Sequence, residues 1–380
     1  MNYRNFGRLD FQVSALGFGC MRLPVIDGDM NNIDEALAID MIRYGIDHGV
    51  NYIDTAYPYH GGNSERVLGK ALKGGYREKV KVATKLPTWA VHEPADFDRL
   101  LEEQLERLQL DAVDVYLLHN LKTTNWSKLC DLGVRSWLDR ILAEGKTDHV
   151  GFSYHDHFEL FTAIIGGYDN WAMAQIQYNY VNEEVQAGTK GLEYAADQGL
   201  AVVIMEPLLG GCLATPSTSA QVVFDASGSK RTPADWALQW LWNKPEVSTV
   251  LSGMSTMRHV VENVASAGRS EVGGFSDSDL QVIADVAREY NSLNVIPCTG
   301  CGYCTPCPTG VDIPQNFQLY NDTVVFGGNQ ATLNRNLYSG MPTEAKANAC
   351  VACGKCEDKC PQKIAIREWL PKVHKQFTNA

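Results

Sequence analysis

Gly49–Gly69, GVNYIDTAYPYHGGNSERVLG, reads as a buried strand that runs out into a chemically loaded loop and then into a helix. Val50, Tyr52 and Ile53 are strand formers, and Asp54 places a charge where the apolar run leaves the core. Tyr59 follows five residues later. Gly61, Gly62, Asn63 and Ser64 make a turn, and Ser64 is positioned to cap a helix beginning at Glu65. A carboxylate and a phenol at the two ends of one loop can share a site. Two later strand ends supply partners for them: KVKVATKLP carries Lys85, and DAVDVYLLHN carries His119.

Outward from this stretch the chain alternates. Upstream, YRNFGRLDFQ predicts a short hairpin turning at Gly7 and Arg8, and VSALGFGCM a strand ending in closely spaced glycines. Downstream, helical stripes such as FDRLLEEQLERLQL separate apolar strands such as DHVGFSY, MAQIQYNY, AVVIMEPL and STVLSGM. Eight strands in about 250 residues predict an α/β fold, a (β/α)8 TIM barrel rather than an open sheet. SDSDLQVIADVAREYN, capped by Ser276, reads as the last barrel helix. The texture then changes to Cys, Pro and Gly without periodicity, which predicts a barrel over 1–293 and a small Cys-rich domain over 294–380.

The D-T-A-x-x-Y spacing from Asp54 to Tyr59, the lysine closing V-x-x-A-T-K and the histidine closing D-x-x-x-L-H resemble the aldo-keto reductase family. The resemblance implies that Asp54, Tyr59, Lys85 and His119 form a catalytic tetrad, and that the fold is the same barrel. It implies hydride transfer between NAD(P)H and a small-molecule carbonyl or alcohol substrate, with Tyr59 as general acid and base. Lys85 would stabilise the Tyr59 anion, Asp54 would fix Lys85, and His119 would donate to the carbonyl oxygen.

Cofactor contacts follow the same resemblance. Gly19, Cys20 and Met21 close the first strand. Ser153 in G-F-S-Y and Gln175 in the next strand would hold the nicotinamide carboxamide, while Tyr154 replaces the family's asparagine and offers a ring for stacking. Glu206, Pro207, Leu208 and Gly210 resemble the loop over the pyrophosphate. In SGMSTMRHVVEN, Gly253, Ser255 and Asn263 are kept; the arginine that meets the 2′-phosphate of NADP is Thr256, and its glutamine is His259. Arg258 lies close enough to substitute, so NADP(H) and NAD(H) both stand as the cofactor.

Eleven cysteines in a secreted chain would suggest disulfides, but eight fall in two tight runs, which speaks of metal. Cys350, Cys353, Cys356 and Cys360 before Pro361 have the C-x2-C-x2-C-x3-C-P spacing of ferredoxin-type [4Fe-4S] ligands. Cys298, Cys301, Cys304 and Cys307 before Pro308 are one residue shorter at the last gap. By the ferredoxin rule the fourth cysteine of each run serves the other cluster, giving two [4Fe-4S] clusters: Cys298, Cys301, Cys304 with Cys360, and Cys350, Cys353, Cys356 with Cys307. Two zinc sites are the alternative. The clusters read as a structural staple, a relay from a ferredoxin-like partner, or a one-electron route to substrate.

Composition sets bounds. With 45% hydrophobic residues, 21% charged and a net charge of −12, the chain predicts a globular protein that binds neither nucleic acid nor membrane. The start, MNYRNFGRLDF, has no apolar signal core and no stretch approaches the roughly 20 residues that span a bilayer, so the expected location is cytoplasmic. Trp89, Trp126 and Tyr57 are expected to wall the substrate pocket. The competing class is a ferredoxin-linked electron-transfer protein, or a one-electron reductase, that uses no nicotinamide.

Overall fold

The computed structural model describes residues 1–298, 300, 304–360 and 362–378. Cys301 and Pro361 of the expected cluster motifs lie outside the described residues. The chain divides into two compact units, one comprising Met1–Leu208 and Ala234–Leu280, the other Leu209–Pro233 and the residues from Gln281 onward.

The first unit is a closed barrel of eight parallel strands. A hairpin of β1 (Tyr3–Asn5) and β2 (Gln12–Ser14) precedes it, and the barrel runs through β3 (Leu16–Gly19), β4 (Tyr52–Asp54), β5 (Lys81–Pro87), β6 (Val113–Leu121), β7 (Thr147–Tyr154), β8 (Trp171–Gln177), β9 (Ala201–Met205) and β10 (Val247–Gly253). β10 pairs with β3 to close the ring. The run VSALGFGCM thus splits, Val13 and Ser14 belonging to the hairpin and Leu16–Gly19 to the barrel. Gly7 turns the hairpin at φ +57°, and its Cα lies so near β9 that a Cβ would stand 2.4 Å from the Ala201 amide nitrogen. Only glycine fits that approach.

The interior explains why four distant residues meet. Tyr52, Ala83, Val115, Leu117, Met173 and Leu251 pack into one cluster, which Phe6 and Val13 of the hairpin complete. Side chains on a strand alternate between faces with period 2. Two residues beyond Tyr52 is Asp54, beyond Ala83 is Lys85, beyond Leu117 is His119, and beyond Met173 is Gln175. The strand tops therefore turn polar side chains into the same interior that is apolar one layer below. Phe152 and Tyr154, of opposite parity to Ser153, face outward onto Phe161.

The second unit holds an apolar core of its own, built from Phe317, Tyr338, Ile366, Leu370, Val373 and Phe377 among others. The helices Ile313–Phe326, Gly328–Ser339 and Ile366–Thr378 supply it. Asp312 caps the first of these, its carboxylate accepting from the Gln315 amide at 3.1 Å. Among the described residues no helix is long and apolar enough to cross a membrane.

Candidate active site

Lys85 is the hub. Its ammonium donates to Asp54 Oδ1 at 2.6 Å, to the Thr55 carbonyl at 2.8 Å and to the Tyr59 hydroxyl at 3.3 Å. Both members of the Lys85–Asp54 pair are buried. Gln175 donates to the other Asp54 oxygen at 3.3 Å, and its own Oε1 is buried with no hydrogen-bond partner among the described residues. His119 meets the Tyr59 ring edge-on, with ring centroids 6.0 Å apart. The four expected tetrad residues are brought together at the strand tops.

Burial governs their protonation. It would lower the Lys85 pKa, but the Asp54 and Tyr59 partners outweigh it and Lys85 holds its proton more firmly than usual. Burial raises the Asp54 carboxyl pKa against the pull of Lys85. For Tyr59 burial also prevails, raising the phenol pKa, while Lys85 draws it down. Lys85 therefore acts on the phenol against the dry surroundings of the ring. His119 is held well below its ordinary value by burial, then by Lys85 and His155, and so is a neutral imidazole.

A second buried layer stands behind the hub and was not foreseen. Glu65 is fully buried; its Oε1 accepts from Thr84 at 2.6 Å and from Gln104 at 2.7 Å, and its Oε2 pairs with Arg107 at 3.2 Å. Gln104 also donates to the Lys85 carbonyl at 3.0 Å and accepts from Tyr116 at 2.6 Å. The network ties the backbone of β5 to the helices Asn63–Ala71 and Ala95–Leu108. Ser64 is a correction. The helix begins at Asn63 after Gly62 in a left-handed conformation, with no side-chain cap. The Ser64 hydroxyl instead donates to the Cys20 carbonyl at 3.0 Å and meets Thr55 Oγ1 at 2.9 Å, binding the Tyr59 loop to the end of β3.

His60 makes a further tie. Its Nδ1 lies 2.6 Å from the Met30 carbonyl and its Nε2 accepts the Leu23 amide at 3.2 Å. A carbonyl needs Nδ1–H and an amide needs a bare Nε2, so both bonds exist only in the neutral ring. Burial lowers the His60 pKa, against weaker support for the charged form from backbone groups of Met30 and Met21. A depressed folded-state pKa gives stability that is present above the unfolded value, about 6.5, and is lost as pH falls through the folded one. Urea midpoints should therefore fall further in wild type than in His60→Asn between about pH 7 and about pH 5. Equal falls in both proteins would remove this role.

Gly19 and Gly253 are register partners at the adjoining tops of β3 and β10. Cys20 is buried, burial and then Asp54 raising its thiol pKa, while Met21 is exposed. Ser153 accepts the Asn120 amide at 2.7 Å. The Glu206 carbonyl accepts from Asn179 at 3.1 Å, with Pro207 and Leu208 continuing the turn; Gly210 belongs to the second unit, at φ +67°. Ser255 Oγ is 3.5 Å from His259 Nδ1. Asn263 donates to Ser252 at 3.0 Å, anchoring the helix Met257–Ala267 to β10. Arg258 is ion-paired with Glu262 at 2.7 Å.

Tyr154 is a second correction: outward-facing, it donates to the His157 carbonyl at 2.5 Å and cannot stack on a ligand inside the barrel. Of the three aromatic pocket candidates, Trp89 stands 5.2 Å from the His119 ring. Trp126 packs toward Trp171, and Tyr57 lies under the Arg107 guanidinium at 4.1 Å.

In the second unit Cys307, Cys350, Cys353 and Cys356 line one cavity, with Ile313 and Leu370 among its walls. Four sulfur donors on one cavity suit an iron-sulfur cluster. Burial alone would raise the Cys307 pKa, but the Thr309 hydroxyl and the amides of Thr309, Val311 and Gly310 outweigh it and favour the thiolate. Cys298 and Cys304 pack against the apolar core of the unit, and Cys360 is buried in it. Among the described residues no group of three or more His, Cys, Asp or Glu is arranged to hold a single metal ion.

A closed parallel barrel with a buried lysine–aspartate pair at its strand tops and a half-buried tyrosine bonded to that lysine defines a class of oxidoreductase, and comparison with known proteins agrees. The Aldo/keto reductase family profile matches residues 15–286, and a 4Fe-4S dicluster domain profile matches 297–365. The chain belongs to the aldo/keto reductase family. It is 29% identical to the L-galactose dehydrogenase of Arabidopsis thaliana, over 76% of this chain and 95% of that protein. Among solved structures it resembles an aldo/keto reductase from Klebsiella pneumoniae in complex with NADP and acetate, with 26% identity, a TM-score of 0.61, and coverage of 76% of this chain and 95% of that one. Aldo-keto reductase AKR11C1 from Bacillus halodurans shares the fold, with a TM-score of 0.63 over 75% of this chain and 96% of its own.

Proposed function

We propose that this chain is a cytoplasmic oxidoreductase that interconverts a small carbonyl compound and its alcohol with NADP(H) or NAD(H), the hydride entering or leaving at carbon while Tyr59 moves the proton. The observation that carries this is the Lys85 ammonium bonded at once to Asp54, Thr55 and Tyr59. A reduced nicotinamide, when bound, supplies the hydride. Gln175, whose buried Oε1 needs a donor, and Ser153 fit its carboxamide. Asp54 and the Thr55 carbonyl pin the ammonium, the ammonium offsets charge developing on Tyr59, and neutral His119 donates to the substrate oxygen. Trp89 gives the site an apolar wall.

The clusters would be two, of the [4Fe-4S] type, held by the two sets of cysteines named above. Their role is better read as a relay to a ferredoxin-like partner than as a staple. The second unit has an apolar core of its own. Cys353 is exposed, next to Val351 at 66% exposure, which suits electron exchange at the surface.

The test uses full-length protein prepared without oxygen. Iron and acid-labile sulfide are measured, and aldehydes and ketones are screened with NADPH, with NADH, and with reduced ferredoxin alone. Turnover with a nicotinamide supports the reading. Turnover with ferredoxin alone would overturn it in favour of a one-electron reductase, and zinc without sulfide would overturn the cluster assignment.

A further inference from the structure

The family's 2′-phosphate arginine is absent, since Thr256 stands in its place. Thr256 is occupied in capping its own helix, its hydroxyl accepting the His259 amide at 3.3 Å. Arg258 is committed to Glu262, and its side chain is 80% exposed. Arg269, at the other end of the helix, pairs with Asp235 at 3.0 Å. Both arginines of this helix and its end are thus ion-paired in the structure.

Arg22 comes from another strand. It closes the short turn Cys20–Arg22 after β3, the neighbour of β10 in the ring. A Cβ built on Gly253 would lie 3.1 Å from Arg22 Cδ and 3.2 Å from its Cβ and Cγ. The arginine stem thus runs over the last residue of β10, through the space a side chain at 253 would fill. A side chain at 253 would crowd this stem, while Gly253 itself remains exposed beside it. The guanidinium makes no ion pair or hydrogen bond with a described residue. A packed stem fixes where the head can reach, and an uncommitted guanidinium suits a phosphate's paired oxygens.

We propose that Arg22 is the cation that receives the adenosine 2′-phosphate, and so makes this enzyme prefer NADP(H). The inference rests on the nicotinamide-dependent reading above. It moves the specificity determinant from the helix after the last barrel strand to the turn after the first. The stem of Arg22, lying where a longer residue at 253 would project, brings a charge from the neighbouring strand to the same place.

The test is a fluorescence titration of cluster-loaded wild type, Arg22→Met and Arg258→Met with NADPH and with NADH. Methionine keeps the stem over Gly253 and removes only the charged head. Arg22→Met should weaken NADPH binding by about tenfold or more and leave NADH unchanged; Arg258→Met should change neither. The wild-type NADPH affinity should also fall more steeply with salt than that of Arg22→Met. Equal loss for both dinucleotides, or no loss for either, would overturn the assignment. So would NADPH weakened by Arg258→Met alone. Wild type that binds both dinucleotides equally would overturn the assignment while leaving the nicotinamide reading standing; wild type that binds neither would remove that reading itself.

Discussion

Tyr59→Phe is expected to cut carbonyl turnover by about two to four orders of magnitude while leaving NADPH binding as in wild type. The change removes one hydroxyl, the atom 3.3 Å from the Lys85 ammonium, and keeps the ring that meets His119. Dinucleotide contacts assigned to Ser153 and Gln175 are untouched. The loss should therefore appear in kcat with little change in KM. Anaerobic single-turnover mixing with saturating NADPH separates the two quantities. A variant that retains wild-type turnover would remove Tyr59 from proton transfer, and one that loses NADPH affinity in equal measure would make it a binding residue.

Lys85→Met is expected to damage both rate and stability. It removes the charge that offsets the developing Tyr59 anion, at a cost of about a hundredfold or more in turnover. It also strands Asp54, 2% exposed, with Gln175 as its remaining side-chain donor. Breaking one side of a buried pair costs about 3 to 5 kcal/mol. Burial already raises the Asp54 pKa, and without Lys85 the carboxyl rises further. An acid whose folded-state pKa is raised is penalised only above its unfolded value, so the stability loss should shrink as pH falls toward about 4. Asp54→Asn in the Lys85→Met background should restore most of the stability and none of the rate. Urea denaturation of the four proteins of this cycle gives the coupling directly. Additive losses would mean that the pair is not coupled in the folded protein.

The convergence of Asp54, Tyr59, Lys85 and His119 is legible because its requirements are local in sequence. Each strand is a short apolar run, Asp54, Lys85 and His119 sit near strand ends with the parity that points inward, and Tyr59 follows in the turn after β4. What lay beyond reach depends on contacts between distant segments. Glu65, Gln104 and Arg107 each look like surface helix residues in isolation, and only the packing of two helices on β5 makes them one buried network. Ser64 carried a capping signature, but its hydroxyl is taken by groups on two other elements. Tyr154 was read by alignment with an asparagine, and its outward face follows from the parity of β7. Arg258 was chosen by nearness in sequence, whereas Arg22 reaches Gly253 only because β3 closes against β10. The expected division at 293/294 follows composition; by packing, Leu209–Pro233 and the residues from Gln281 belong to the second unit.

Hydride transfer to carbon at a site built around Lys85 is read most directly from the fate of the hydride itself. NADPH deuterated on both hydrogens at nicotinamide C4 should deliver deuterium to the carbinol carbon of the product, one atom per turnover, as read by mass spectrometry. Product formed without deuterium at that carbon, with the cluster absorbance changing during turnover, would contradict the account and assign the reducing electrons to the iron-sulfur domain.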